Sequence, residues 1–376
     1  MVDFYLLYSE YTLLLLIFFM SGYIKTPITK REKSSRSIHF QLNRISSFLK
    51  EYGGNHVSHL IFLQDKEVYW ASQERALIAY KRIGNKLVVL GDPIGEDFYI
   101  QDAIKEFCED SERKGLTPIF YQISPHIMHY YHDSGFRFLK LGEEGKVSLK
   151  DFSLEGKQGA RLRTRVNKFA RNSFTFQVVE PPYSAELYSE IKGISDSWLG
   201  SQKEKGFSVV SFSEEYISRF PIALLKDADN KIIAFATLAT DYQQNLSIDL
   251  MRKLSDSPHG TMDVLFIHIF KWAKEKGYQS CSLGMAPLSN VGNGKCAFTS
   301  EKLLRLAYLY GNSYYNFKGL KEFKGKFASN WEPKYLAYKR TSLPILLIQL
   351  LVLINRLPNP TVTVSKKIKY LFKKAG

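Results

Sequence analysis

The sequence predicts an α/β fold built as two similar lobes in tandem. Strand-like runs, a helix and a further strand occur twice in that order. A length of 376 residues suits two domains, and 45% hydrophobic content is ample for their cores. The halves share no obvious identity, so the repeat is architectural.

Residues 4–24 form an apolar window about long enough to span a bilayer. Lys25, Lys30, Arg31, Lys33 and Arg36 follow directly, so the positive-inside tendency turns the rest of the chain toward the cytoplasm. Residues 1–36 are therefore expected to be a membrane-associated segment with a basic linker. The first lobe is expected over 37–183. It opens with a helix at 38–50, ended by Gly53 and Gly54, and continues through strands at 59–63, 68–70, 76–82 and 86–90. A helix at 100–114 stops at Gly115, and a strand at 118–122 follows. His126, His129 and His132 invite a metal reading, but on a helix residue 132 turns away from 126, so no metal site is expected. Arg161, Arg163, Arg165, Lys168 and Arg171 form a basic cluster. Positions 161, 165 and 168 share one helical face, which fits either a phosphate-binding stripe or a solvated surface.

The second lobe is expected over 184–341. A helix at 186–199 precedes hairpin strands at 222–225 and 232–240. Leu246, Ile248 and Leu250 then alternate with Ser247 and Asp249, the period of a half-buried strand that delivers Asp249 to a polar end with Arg252 just beyond. The polar loop 257–263, a helix at 264–276 and a strand at 280–284 complete the repeat. Strand, loop and helix in that order aim backbone N–H groups at an anion. A surface ion pair beside an ordinary turn places the same charges. Lysines interleaved with aromatics at 317–327 suit a phosphate or a stacked base, and equally a snorkelling surface. The apolar run 343–354 is too short to span a membrane as a helix. With Lys366, Lys367, Lys369, Lys373 and Lys374 after it, the stretch 342–376 reads as a membrane-proximal basic tail. A core-packing helix is the other reading of the same run.

Lys plus Arg number 52 against 37 Asp plus Glu, and the net charge of +15 argues for an anionic partner, either nucleic acid or an acidic membrane surface. The three cysteines, Cys108, Cys281 and Cys296, are widely spaced, which fits a reducing compartment without a disulfide framework.

Several ordered stretches carry a more specific signal. They include Val88-Val89-Leu90-Gly91-Asp92-Pro93-Ile94-Gly95, Tyr121-Gln122-Ile123-Ser124-Pro125 and Tyr131-His132-Asp133-Ser134-Gly135-Phe136-Arg137. The second half adds Ser195-Asp196-Ser197-Trp198-Leu199, Lys205-Gly206-Phe207-Ser208, Asp249-Leu250-Met251-Arg252, Leu283-Gly284-Met285-Ala286-Pro287-Leu288 and Trp331-Glu332-Pro333-Lys334-Tyr335. On these stretches the chain resembles, over roughly residues 40 to 340, the cytoplasmic catalytic domain of the aminoacyl-phosphatidylglycerol synthases, the lysylphosphatidylglycerol synthase or multiple peptide resistance factor family.

The resemblance implies a pair of acetyltransferase-like (GNAT) lobes. It implies transfer of an amino acid, usually lysine and sometimes alanine, from aminoacyl-tRNA to the glycerol hydroxyl of phosphatidylglycerol. The cationic product lowers the negative charge of the membrane and protects against cationic antimicrobial peptides. No acetyl-CoA, other cofactor or metal is implied, and the loop after Arg252 lacks the closely spaced glycines of a pyrophosphate-binding turn. The family's functional aspartate and arginine fall on Asp249 and Arg252, and its late lysine on Lys324, which are the expected catalytic residues. Asp249 would orient the lipid hydroxyl or bind the aminoacyl ammonium. Arg252 and Lys324 would hold the lipid phosphate or the 3′ end of the tRNA. Tyr216, Asp263, Lys326 and Glu332 are expected to bind substrate, and Arg161, Arg165 and Lys168 the tRNA phosphates. The family's lipid-flipping membrane domain has at most residues 4–24 as its counterpart here, so flipping is expected to need a separate partner. Two rival readings share these features: a tRNA-dependent transferase acting on amines of cell-wall precursors, and a non-enzymatic module that binds tRNA or anionic lipid.

Overall fold

The computed structural model describes residues 35–311 and 315–356. The expected membrane segment at 4–24 and the lysines after 356 lie outside the described residues, and no described helix is long and apolar enough to cross a membrane. The strands form one continuous sheet in the order β1-β2-β3-β5-β12-β6-β11-β10-β9-β8-β7, with β4 paired to β2. Helix α1 (Ser35–Tyr52) leads through a 3-10 turn (Ser58–Leu63) into β1 (Glu67–Ala71), β2 (Ala76–Ile83), β3 (Lys86–Leu90) and the short β4 (Ile94–Gly95). Helix α2 (Asp97–Arg113) crosses over to β5 (Thr117–Ile123), which runs parallel to β3. The second half repeats this plan. Strands β7 (Thr175–Val179), β8 (Ile222–Lys226), β9 (Ile232–Thr240) and β10 (Asn245–Lys253) are antiparallel neighbours, and α7 (Thr261–Glu275) crosses over to the parallel β11 (Ser280–Pro287). This is the doubled strand, helix and strand arrangement expected from the sequence.

The halves are joined by exchanged strands. β6 (Arg137–Ser148), from the first half of the sequence, pairs with β11 of the second. β12 (Asn330–Tyr338), from the end of the second half, returns to pair with β5. The two exchanged strands also pair with each other at the centre. Helix α4 (Gly156–Arg171) lies against α7, and β7 pairs with β8. Much of what the sequence assigned to the first lobe before residue 183 thus belongs spatially with the second. Helical and strand periods carry no information about which neighbour an edge will find.

Alternation along the strands builds the cores. Leu77 and Ala79 of β2, with Ile222 and Leu224 of β8, face one core that runs under both halves. Ala76 and Ile78 face a second core, under α2, while Ala223 and Leu225 face a third, under α7. Helix α10 (Leu343–Asn355) belongs to the shared core through Leu346, Leu350 and Leu353, at 0%, 3% and 1% exposure. The run read as a membrane-proximal tail is therefore a packing element over its helical part. Its apolar stripe meets protein, and each buried leucine contributes about 1.5–3 kcal/mol of transfer free energy. The run at 59–63, expected as a strand, is the buried 3-10 turn instead. Its continuous apolar pattern does not distinguish the two states.

Candidate active site in the opening between β10 and β11

β10 and β11 are parallel neighbours over Asn245 to Ser247 and Ser280 to Ser282 only. Beyond that point each strand carries an irregularity, between Ile248 and Met251 against β9 and between Ser282 and Met285 against β6. Such bulges bend a strand and re-aim its side chains. Ile248 faces the core under α7, whereas Leu250 faces the shared core on the opposite side of the sheet. Asp249 lies in this twist, where the strands part.

The Asp249 carboxylate is anchored through one oxygen. Tyr216, in the short helix α6 (Glu214–Ile217), donates its hydroxyl to Asp249 Oδ2 at 2.7 Å. His59 Nε2 meets the same oxygen from the 3-10 turn of the first half. Tyr216 and His59 are themselves buried, so neither swings freely. Both contacts fall on Oδ2.

Lys324 approaches from the other side. It lies in α9 (Phe317–Gly325), which packs against β11, and it is 6% exposed. Its Nζ donates to the carbonyl of Met285 at 2.9 Å, in the irregular part of β11. Gly284 has φ +73°, and a Cβ there would lie 3.6 Å from Lys324 Nζ. Burial pulls the Lys324 ammonium down to about 7, against the opposing fields of Glu144 and Asp249. A lysine in this state is divided between amine and ammonium near neutral pH.

Arg252 does not meet Asp249, as the sequence reading allowed. Its Nη2 pairs with Glu204 Oε2 at 2.9 Å, and its Cζ lies 4.3 Å from the ring centre of Trp198. Trp198 belongs to α5 (Ala185–Leu199). Burial lowers the guanidinium's pKa, and the Glu204 carboxylate opposes that shift. Nη1 is buried without a protein partner. Glu204 is held by the loop after α5, where Gly206 N donates to Ile354 O and Phe207 N to Asp65 Oδ2.

The other expected site residues are placed differently. Asp263, in the first turn of α7, is 3% exposed and pairs with Arg165 of α4 and with Lys326 at 2.9 Å. The N-terminus of α7 is thus served by the protein's own carboxylate, with Arg165 and Lys326 both paired to Asp263. Gly260, the N-cap at φ +97°, admits this packing because a Cβ would sit 3.2 Å from Arg165 Cδ. Arg161 and Lys168 remain exposed on α4. Glu332 pairs with Lys146 and with Lys334 at 2.6 Å. It belongs to a buried network with Glu144, whose Oε1 accepts from Ser282 and whose Oε2 lies 3.0 Å from Lys334 Nζ. Burial raises the Glu144 pKa, but its cationic partners outweigh this and hold the carboxylate at about 2. His126, His129 and His132 do not gather, and no group of three metal-ligating side chains occurs among the described residues. Sequence reasoning missed His59 and Glu204. A lone histidine in an apolar run gives no signal, while Glu204 adjoins the Lys205-Gly206-Phe207-Ser208 stretch and was within reach.

A family model for the C-terminal part of phosphatidylglycerol lysyltransferase matches residues 46–338, which include every side chain described in the opening. Phosphatidylglycerol lysyltransferase of Bacillus subtilis is 46% identical over 298 residues, covering 79% of this chain and 35% of the relative. That of Staphylococcus haemolyticus is 40% identical over 302 residues, covering 80% and 36%. The chain therefore spans about a third of the length of the curated relatives it matches. The solved structure of L-PGS from Bacillus licheniformis superposes with a TM-score of 0.76 at 42% identity, covering 88% of this chain and 100% of that one. A match through both halves, both exchanged strands and the residues of the opening identifies the chain as a member of the phosphatidylglycerol lysyltransferase C-terminal family.

Proposed function

We propose that this chain transfers a lysyl group from aminoacyl-tRNA to the glycerol hydroxyl of phosphatidylglycerol, at the cytoplasmic face of a membrane. The observation that carries this reading is the pairing of an anchored carboxylate, Asp249, with a buried lysine of lowered pKa, Lys324, where β10 and β11 part. Exchange of one ester for another requires an alcohol to lose a proton as it attacks, and a base with a pKa near the working pH is best suited to take it.

In this mechanism the amine of Lys324 accepts the proton of the glycerol hydroxyl. The hydroxyl oxygen attacks the ester carbonyl, and the tetrahedral intermediate collapses by releasing the 3′-terminal ribose oxygen of the tRNA. Lys324, now an ammonium, returns the proton to that oxygen. Asp249 Oδ1 takes the α-ammonium of the aminoacyl group and fixes the carbonyl. Arg252 offers Nη1 to an anionic oxygen of substrate, while Glu204 keeps the guanidinium in place. Transfer is direct, with the glycerol hydroxyl itself as the nucleophile. The exposed Arg161 and Lys168 guide the tRNA backbone. Lipid flipping is assigned to a partner domain.

The test is lysyl-phosphatidylglycerol formed from purified protein, charged tRNA and lipid micelles, with alanyl-tRNA and a cell-wall precursor as competing donor and acceptor. Formation of alanyl lipid alone, or of a modified precursor alone, rejects the assignment.

A further inference from the structure

Helix α8 (Thr299–Tyr310) has the wrong outer face for a solvated helix. Leu304 is its one fully buried residue, and Tyr308 stands beside it, 6.3 Å from Phe317 of α9 between ring centres. The opposite side of a helix in this position is ordinarily polar. Here it carries exposed Tyr310, Lys302 and Arg305 together with half-buried Leu306 and Leu309. Phe298, at the N-cap, is 75% exposed, and Tyr310, at the last turn, is 70% exposed. The helix's one acidic residue, Glu301, points inward, where its carboxylate accepts from Lys140 N at 3.4 Å. Exposed aromatic ends, half-buried leucines between them and exposed basic residues without an outward carboxylate describe a helix lying in a lipid headgroup layer.

The position of α8 matters as much as its composition. It packs on α9, the helix that holds Lys324 in the opening. Lys321 of α9 pairs with Glu143, which also binds Lys140 beneath α8. A bilayer seated on α8 therefore lies one helix away from the opening.

We propose that the outer face of α8 docks on an anionic lipid bilayer and so presents the acceptor lipid to the opening between β10 and β11. The presentation step rests on the transfer reading above, whereas docking does not. The composition of this face favours a bilayer over nucleic acid, because exposed Phe298 and half-buried Leu306 and Leu309 gain little from a hydrated phosphate backbone.

The experiment uses the full chain and two variants. One is Phe298→Ser with Tyr310→Ser, and the other is Lys302→Gln with Arg305→Gln. Binding is measured by sedimentation with vesicles of phosphatidylglycerol and phosphatidylcholine, and with phosphatidylcholine alone. Transfer is measured on the same vesicles and on short-chain phosphatidylglycerol dispersed as monomers. Both variants should bind anionic vesicles at least ~10-fold more weakly, one through lost apolar insertion and the other through lost charge attraction. Both should also keep their transfer rate on the dispersed lipid, which shows that they are folded. Unchanged vesicle binding in both overturns the proposal. So does a loss confined to tRNA binding or to self-association of the chain. If no lysyl lipid forms from either acceptor while vesicle binding still falls, docking stands and the transfer reading fails.

Discussion

Tyr216 and His59 meet on a single oxygen of Asp249, one from each half of the molecule. The carboxylate is thereby held through Oδ2 from both halves. Asp249→Asn keeps the shape but loses the charge, so transfer should fall by at least ~10²-fold with the circular dichroism spectrum intact. Tyr216→Phe removes one charge-assisted hydrogen bond and should cost about 10-fold, mostly in kcat. Near-normal turnover of a folded Asp249→Asn protein would leave Asp249 as a structural partner only.

Lys324 sets the expected pH profile. In the proposed transfer its amine is the working form, populated above about 7. The value of kcat/KM should therefore rise with pH up to about 7 and level off beyond it. Lys324→Arg, which stays protonated throughout, should remove this limb along with most of the activity. A profile falling through neutrality would make Lys324 an acid in the first step.

The same residue makes a stability prediction of definite sign. Burial lowers the pKa of Lys324 in the folded state, so the unfolded chain binds the proton more tightly. Its contribution to stability is unfavourable below about 7 and is relieved as pH rises toward the usual lysine range. Lys324→Met should be inactive yet equally or more stable at pH 7, and should show a weaker rise of melting temperature with pH.

Asp263 and its partners should behave as structure. Asp263→Ala leaves Arg165 and Lys326 without their carboxylate, and breaking such a pair costs about 3–5 kcal/mol. Arg161→Glu with Lys168→Glu, on the exposed side of α4, should spare stability and raise the apparent KM for charged tRNA more than it lowers kcat. Denaturant titration and steady-state kinetics separate the two outcomes.

Helix α10 offers a further check. Leu350 is 3% exposed in the shared core, so Leu350→Ala should destabilise the protein by about 2–5 kcal/mol. Vesicle binding by the folded variant should be unchanged.

Much of this was legible in the chain. The alternation of Leu246, Ile248 and Leu250 located β10, and turn residues bounded the hairpin strands β8 and β9 closely. Asp249 was placed by its strand, while its role and that of Lys324 came from the family resemblance; the structure brings the two within each other's electrostatic field. Legibility ended where long-range pairing decides. Arg252 sits three residues from Asp249 in sequence, yet the bulge at 248–251 sends it to Glu204 and Trp198 instead. Asp263 and Glu332 look like free carboxylates in a polar stretch, and only folding supplies the cations that occupy them. The exchange of β6 and β12 has no periodic signature.

That exchange has a consequence for biosynthesis. β5 and β6 are neighbours in sequence, but the strand that belongs between them is made almost last, at Asn330–Tyr338. While the ribosome is still translating the second half, both strands present open edges at what will become the centre of the sheet, where strand addition by another chain is easiest. The two halves must reach their final form together, after residue 338 has left the exit tunnel, and any pause before that point prolongs the interval in which a chaperone has to shield them.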